Sequence, residues 1–400
     1  MRSNPLRRFV AAAATLPLFT APAAVAIDAE HHAKARESSE RAIAYLRSQQ
    51  DEATGGWAVS RPGPKLPAIT GLVVNGLVME PGVDATDPAV ARGVDFMLSF
   101  RQPDGAIADG ILPSYNTAIC LSALARIDGP EADAAIGPAQ DFLRGVQWSE
   151  ETVDTADSPG APTIDRAPPF YGGVGYGGHG RPDNSNLHLM LQGLRDSGVS
   201  CDDAAFQRAL VFLARTQMHE AVNDMPYAEG SRQGGFIYAT SPDKDSPGAG
   251  ESKAGLIEEP LPDGSTRSRL RAYGSMSYAG FKCYIFAELE RDDPRVRLAY
   301  DWIRQNYTVE ENPGVGMQGL YYYYATMARA LDAWGEDTIE TINADGSVGP
   351  TRDWANDLID QLASLQKEDG SFENVHDRWM EGDPVLVTAF ALLALQHAVN

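Results

Sequence analysis

Six times along the chain a segment with an apolar stripe on one side gives way, after a turn, to a segment that is apolar nearly all round. The stripes have helical spacing. Val90, Val94, Met97 and Leu98 follow i, i+4, i+7, i+8, while Phe206, Leu210, Leu213 and Leu358, Leu362, Leu365 follow i, i+4, i+7, the signature of one buried helix face. Arg, Asp and Gln occupy the positions between. Each of these helices is therefore expected on the outside. The second segments cover 67–77, 115–127, 184–195, 275–289, 320–331 and 384–398. A helix apolar on every side is one buried on every side. The pattern predicts six inner helices surrounded by six outer ones, with inner-helix entrances sharing one mouth.

The punctuation repeats with the helices. Each stripe segment ends on a glutamine: Gln50, Gln102, Gln147, Gln217, Gln305 and Gln366. Five of these stand four residues after a leucine: Leu46, Leu98, Leu143, Leu213 and Leu362. Gly55-Gly56-Trp57, Asp104-Gly105, Gly234-Gly235-Phe236 and Asp369-Gly370-Ser371-Phe372 follow four of them, placing glycine where a left-handed residue closes a helix. The glutamines are expected to cross-link neighbouring turns and the aromatics to cover the gap between units. Recurrence at this period implies one all-α domain of six helix pairs over residues 27–400. Two stretches break it. Residues 150–180 are rich in Gly, Pro and Asp, and an insertion at about 225–271 holds a strand-like run at 235–240. Loops of this length serve as lids or binding loops when they are ordered, so a partial lid is expected.

Composition changes the picture at the N-terminus. Arg2, Arg7 and Arg8 precede an Ala-rich apolar run from Phe9 to Phe19, and Ala24-Val25-Ala26 is a small-x-small cleavage signal. Residues 1–26 thus read as a secretory signal peptide, and Arg7-Arg8 partly matches a twin-arginine signal. The apolar run is shorter than the roughly 20 residues a membrane span needs. An exported chain, periplasmic or extracellular and without a transmembrane span after cleavage, is expected. Removal of the three leader arginines takes the formal charge from -22 to about -25. No basic stripe is present, which excludes nucleic acid as a partner. Cys120, Cys201 and Cys283 form no C-x-x-C pair; one disulfide is compatible with export, but the core must carry the fold.

Leu362-x3-Gln366-x3-Gly370-x-Phe372 resembles the glutamine-tryptophan repeat of squalene and oxidosqualene cyclases, and Leu46 to Trp57 is a looser copy. The resemblance extends over 33–400 and to the related prenyltransferase repeats, implying an α/α toroid with a central cavity. The cyclases carry an Asp-x-Asp-Asp acid motif at an inner-helix entrance, whose middle aspartate protonates the substrate. The matching run here is Asp183-Asn184-Ser185-Asn186. Serine at that middle position is far too weak an acid for the family's route, and Asp183 doubles as an N-cap candidate. The zinc ligands of the protein prenyltransferases are absent from the inner-helix entrances, so no metal or other cofactor is expected. The complement thioester motif survives only in outline, as Gly314-Val315-Gly316-Met317-Gln318 without its cysteine.

Candidate site residues therefore come from the inner-helix entrances. Asp183 and Asp383 are the candidate acids. Asn116, Asn184, Asn186, His188, Tyr273, Tyr278, Gln318, Tyr322 and Glu381 are the candidate ligand-binding residues, a polar rim above aromatic walls. His376, Asp377, Glu381 and Asp383 form a histidine–carboxylate cluster whose spacing fits no metal motif. Of the four tyrosines 321–324, two are expected to reach the cavity. The favoured reading is a toroid binding an apolar small molecule or lipid, isoprenoid-like in kind, with catalysis left open. The alternatives are a non-catalytic interaction domain and a polysaccharide lyase or hydrolase. Hydrolysis would need two carboxylates about 5 to 10 Å apart, for which Asp183 with Glu381 or Asp383 is the available pair.

Overall fold

The computed structural model describes residues 27–59, 66–150, 166–177, 180–261 and 263–400. The expected signal peptide lies outside them. Among the described residues there are twelve α-helices. The even-numbered helices α2 (Pro67–Val78), α4 (Pro113–Leu124), α6 (Asn184–Asp196), α8 (Gly274–Phe286), α10 (Leu320–Trp334) and α12 (Pro384–Ala398) are the apolar segments of the sequence. Each packs on the next, and α12 packs back on α2, closing a ring. The odd-numbered helices α1 (Ala29–Ser48), α3 (Pro88–Leu98), α5 (Pro130–Gly145), α7 (Ala204–Thr216), α9 (Pro294–Gln305) and α11 (Trp354–Leu365) flank it. None of the described helices is long and apolar enough to cross a membrane.

Starts of helices are written into the sequence. Pro67, Pro113 and Pro384 occupy first-turn positions of inner helices, where the missing N–H costs nothing. Asp87, Asp203, Asp293 and Asp353 cap outer helices, each accepting a backbone N–H from the first turn. Two of these caps also grip the preceding outer helix. Arg47 makes a two-pronged bond to Asp87 at 3.0 and 2.8 Å, and Arg144 holds Asp203 at 3.1 and 2.9 Å.

The repeated glutamines act as staples between units. Gln147 Nε2 donates to Gly172 O in its own turn (3.0 Å) and to Ala205 O in the first turn of α7 (2.9 Å). Gln50 and Gln217 do the same to Gly55 with Ala89, and to Gly234 with Arg295. Gln366 donates to Gly370 O and to Ser38 O of α1, both at 2.9 Å, which joins the last unit to the first. Two units differ. Gln102 reaches only the carbonyls of Phe100 and Ala108, and Gln305 is exposed. The glycine of the turn is dictated by this closeness: Gly172 has φ +80, and a Cβ there would stand 1.9 Å from Arg208 O. Past the turn, the amides of Trp57, Phe236 and Phe372 are received by inner-helix hydroxyls of Thr70, Ser277 and Thr388. The Trp57 indole donates to Leu46 O at 2.6 Å, so leucine, glutamine and aromatic serve one joint.

Three antiparallel hairpins decorate the ring: β1 (Gln217–His219) with β2 (Arg232–Phe236), β3 (Leu256–Pro260) with β4 (Thr266–Leu270), and β5 (Thr338–Ile342) with β6 (Val348–Asp353). The insertion is therefore two hairpins, and β2 ends at Phe236, short of the expected 235–240 run. Beyond it Ala239 makes only a single bridge to Glu251. The hairpin between α10 and α11 was not anticipated, because Ile339 is the one residue of its two strands that is buried in the core, too little apolar alternation to mark a strand.

Candidate functional site

The first turns of five inner helices, α4, α6, α8, α10 and α12, meet at one end of the ring around a cavity of about 160 Å³. Its walls are aromatic and aliphatic: Tyr115, Tyr322, Met276, Leu386 and Phe390 from the inner helices, with Tyr273 just before α8. Both sequence irregularities contribute. The 166–177 segment supplies Tyr176 and the residues after β2 supply Tyr238, with the two hydroxyls 3.5 Å apart. The expected lid segments thus form one side of the cavity wall.

A different segment covers the mouth. A short 3-10 turn at Arg378–Met380 places Trp379 and Met380 over the cavity, with positive φ values of 61° and 67°. Such backbone conformations cost a non-glycine residue about 1–3 kcal/mol each. Trp379 is 42% exposed, with the Arg378 guanidinium 4.4 Å from its ring centroid. Gly319, at φ +65, lies under the indole, where a Cβ would come within 3.0 Å. Arg181 and Lys253 stand over the Tyr238 ring at 5.1 and 4.6 Å, and both pair with Glu251.

Glu381, Ser185 and Ser275 are the polar groups besides the tyrosine hydroxyls among the deeper lining residues. Glu381 accepts from Tyr322 N (2.8 Å), Tyr321 N (3.3 Å) and Asn374 Nδ2 (2.7 Å). It therefore caps α10 from the loop before α12. Burial pushes its carboxyl up to about 7 against the pull of those N–H donors. Ser185, which stands where the cyclase motif would have its acid, lies 3.0 Å from Tyr322 OH.

Below Tyr322 and Phe390, whose rings meet edge to face at 5.8 Å, is a second chamber of about 50 Å³. Its polar lining includes His188, Gln192, Lys282, Arg329, His397, Thr326 and Asn75. Lys282 is 1% exposed, and its Nζ is 3.0 Å from His188 Nδ1 and 2.6 Å from Gln192 Oε1. Burial pulls its pKa down to about 7. Burial and the Lys282 charge together hold His188 well below the ordinary histidine value. His188 Nε2 makes a short bond to Tyr322 OH.

The sequence candidates divide sharply. Tyr273, Tyr322 and Glu381 line the upper cavity, and His188 lines the chamber below. Asp183 caps α6 and receives Asn186 N and Nδ2 at 2.9 to 3.1 Å. It sits behind the cavity wall beside Tyr238, and burial raises it to about 6. Asp383 caps α12 through Val385 N and Leu386 N. Asn116 receives Ala68 N and donates to Ile111 and Leu112 carbonyls. Asn184 donates to Thr216 Oγ1 and Ile237 O, which holds the segment after β2 that carries Tyr238. Tyr278 packs its ring on Tyr323 at 5.6 Å, between units, and Gln318 receives Arg378 at the rim. Only Tyr322 of the four tyrosines reaches the cavity; Tyr321, Tyr323 and Tyr324 donate to loop carbonyls of Glu373, Thr308 and Val309. No three His, Cys, Asp or Glu side chains converge on a metal-sized space among the described residues, and all three cysteines are free. Lys282 is the main residue the pattern passed over; a lone lysine inside an otherwise apolar inner helix was the available signal.

Six inner helices closed inside six outer ones make this an α/α toroid. Solved structures share that architecture across nearly the whole chain. The type II terpene cyclase MstE from Scytonema is similar at 12% identity and TM-score 0.50, over 92% of this chain and 98% of its own. An α-1,6-mannanase of Salegentibacter, solved with α-1,6-mannotriose, is similar at 8% identity and TM-score 0.55, over 91% and 99%. An α-amylase from Clostridium perfringens is similar at 12% identity and TM-score 0.52, over 90% and 97%. At these identities the likeness establishes the fold alone. No family model and no curated protein matches the chain.

Proposed function

We propose that the toroid, acting after export, binds a small apolar group in its central cavity: a single ring, or the terminal unit of an isoprenoid-like chain. The observation carrying this reading is the size and lining of that cavity. About 160 Å³ is close to the roughly 150 Å³ apolar cavity that accommodates benzene, and well below the 300 Å³ or more typical of drug-sized ligands. A folded polyprenyl chain therefore does not fit inside, whereas one unit of it does. The tyrosine hydroxyls, Ser185 and Glu381 supply orientation.

Glycan hydrolysis has less support. Asp183 and Asp383 are both occupied as helix caps, leaving Glu381 as the carboxylate facing the cavity among the described residues. The reading is tested by titrating the mature protein with toluene and following Trp fluorescence, together with mass spectrometry of co-purifying lipid. Saturable binding supports a cavity ligand. Absence of binding by every small apolar probe would leave the toroid as an interaction domain.

A further inference from the structure

The two chambers are joined by a continuous hydrogen-bonded chain through the core. It runs from Ser185 Oγ to Tyr322 OH, then to His188 Nε2, and from His188 Nδ1 to Lys282 Nζ and Gln192 Oε1. Three inner helices contribute: α6 gives Ser185, His188 and Gln192, α8 gives Lys282, and α10 gives Tyr322. Its lower end borders the second chamber, whose volume of about 50 Å³ exceeds the roughly 30 Å³ share of one water in the liquid. Asn75 Oδ1, buried without a hydrogen-bond partner in the protein, belongs to a residue lining the same chamber. Such an orphan acceptor suits a water-filled space.

We propose that Tyr322 is the acid–base group of the central cavity and that His188 and Lys282 supply and withdraw its proton from the chamber below. This rests on the reading that the cavity holds a ligand. Only neutral histidine allows the mechanism, since each ring nitrogen must alternate between donor and acceptor. With Lys282 as an ammonium, Nζ–H donates to His188 Nδ1, Nε2–H donates to Tyr322 Oη, and the tyrosine O–H is free to turn toward Ser185 or a ligand. One proton can then travel outward. Lys282 gives a proton to Nδ1, Nε2 gives its proton to Oη, and the phenol gives its original proton to a base in the cavity. Lys282 is left as an amine accepting from Nδ1–H, and Tyr322 donates to Nε2 while presenting lone pairs to the cavity. Protons balance, and no tyrosinate is required.

The groups facing Lys282 leave it poised for this. From α6 come His188, Gln192 and Asp196, from α10 comes Arg329, and Cys283 is its neighbour on α8. Arg329 is paired with Asp196, so their opposing fields largely cancel at the amine. Burial then dominates and brings the lysine to about 7.

The test uses the full mature chain labelled with ¹⁵N-histidine, the His188 signal being assigned with His188→Gln. In ligand-free protein His188 should be the Nε2–H tautomer at pH 5.5 and the Nδ1–H tautomer at pH 9, and Lys282→Met should abolish the change. Cyclohexanone, which only accepts hydrogen bonds, should bind roughly tenfold more weakly at the higher pH, the worth of one hydrogen bond, and equally at both in Tyr322→Phe. An unchanged tautomer across this range, or a change that survives in Lys282→Met, overturns the relay. If the tautomer switches but cyclohexanone binds at neither pH, the relay stands and the ligand-binding reading falls.

Discussion

Lys282→Met perturbs the most costly group in the core, and its effect on stability should change with pH. A lysine moved from 10.5 to about 7 carries a penalty on its charged form of about 5 kcal/mol. Below pH 7 both folded and unfolded chains hold this proton, so the penalty is felt in full. Between about 7 and 10.5 the unfolded chain binds the extra proton, and stability rises by about 1.4 kcal/mol per pH unit. Methionine removes the charge but leaves His188 Nδ1 and Gln192 Oε1 without their partner, at a cost of about 1–3 kcal/mol each. The variant should therefore match or exceed wild-type stability at pH 6 and fall below it at pH 9. The difference between the two pH values should be about 3 kcal/mol, whatever the pH-independent offset. Urea denaturation of both proteins at the two pH values measures it. Equal differences at pH 6 and pH 9 would refute the argument that Lys282 is buried without a compensating charge.

Four further outcomes are expected. Gln147→Ala should cost about 2–4 kcal/mol in denaturant melts, since it strips two buried carbonyls of their donor, whereas Gln305→Ala, at an exposed position, should stay within about 0.5 kcal/mol. Glu381→Gln should gain on wild type as pH rises from 4.5 toward 7, by about 3 kcal/mol in total, because a carboxyl raised to about 7 loses folded-state stability over that window; parallel melts at pH 4.5 and 7.5 check it. Phe390→Ala should join the two chambers and admit naphthalene, which wild type should exclude, at a stability cost of about 3–5 kcal/mol. Trp379→Ala should raise the association rate of toluene in stopped-flow measurements by uncovering the mouth.

How much of this was legible in the sequence depends on which force places each residue. Helix identity was legible because burial acts through periodicity, and the apolar runs beginning at Pro67 and Pro384 announce inner helices without any partner being known. The staples were legible because one constraint recurs: Gln50, Gln147, Gln217 and Gln366 sit at the same joint. Site chemistry was less accessible. Asn116 and Asn184 are polar for the sake of groups on neighbouring segments, and a linear sequence shows a polar residue at an entrance without showing which partner it serves, whereas the cap made by Asp183 is local to its own helix. Tyr176 and Tyr238 reach the cavity through irregular segments that carry no period. Lys282 was masked by its neighbours, since its value lies in a contact with His188 on another helix, 94 positions earlier in the chain.

The central claim is that the ring encloses a cavity that takes one small apolar group. Isothermal titration of toluene into the wild-type protein and into Met276→Trp, which fills the cavity from its wall, tests it most directly. One saturable site in wild type, lost in the filled variant while its melting curve stays cooperative, is the expected result. No saturable site in wild type, or one that Met276→Trp leaves intact, would contradict it.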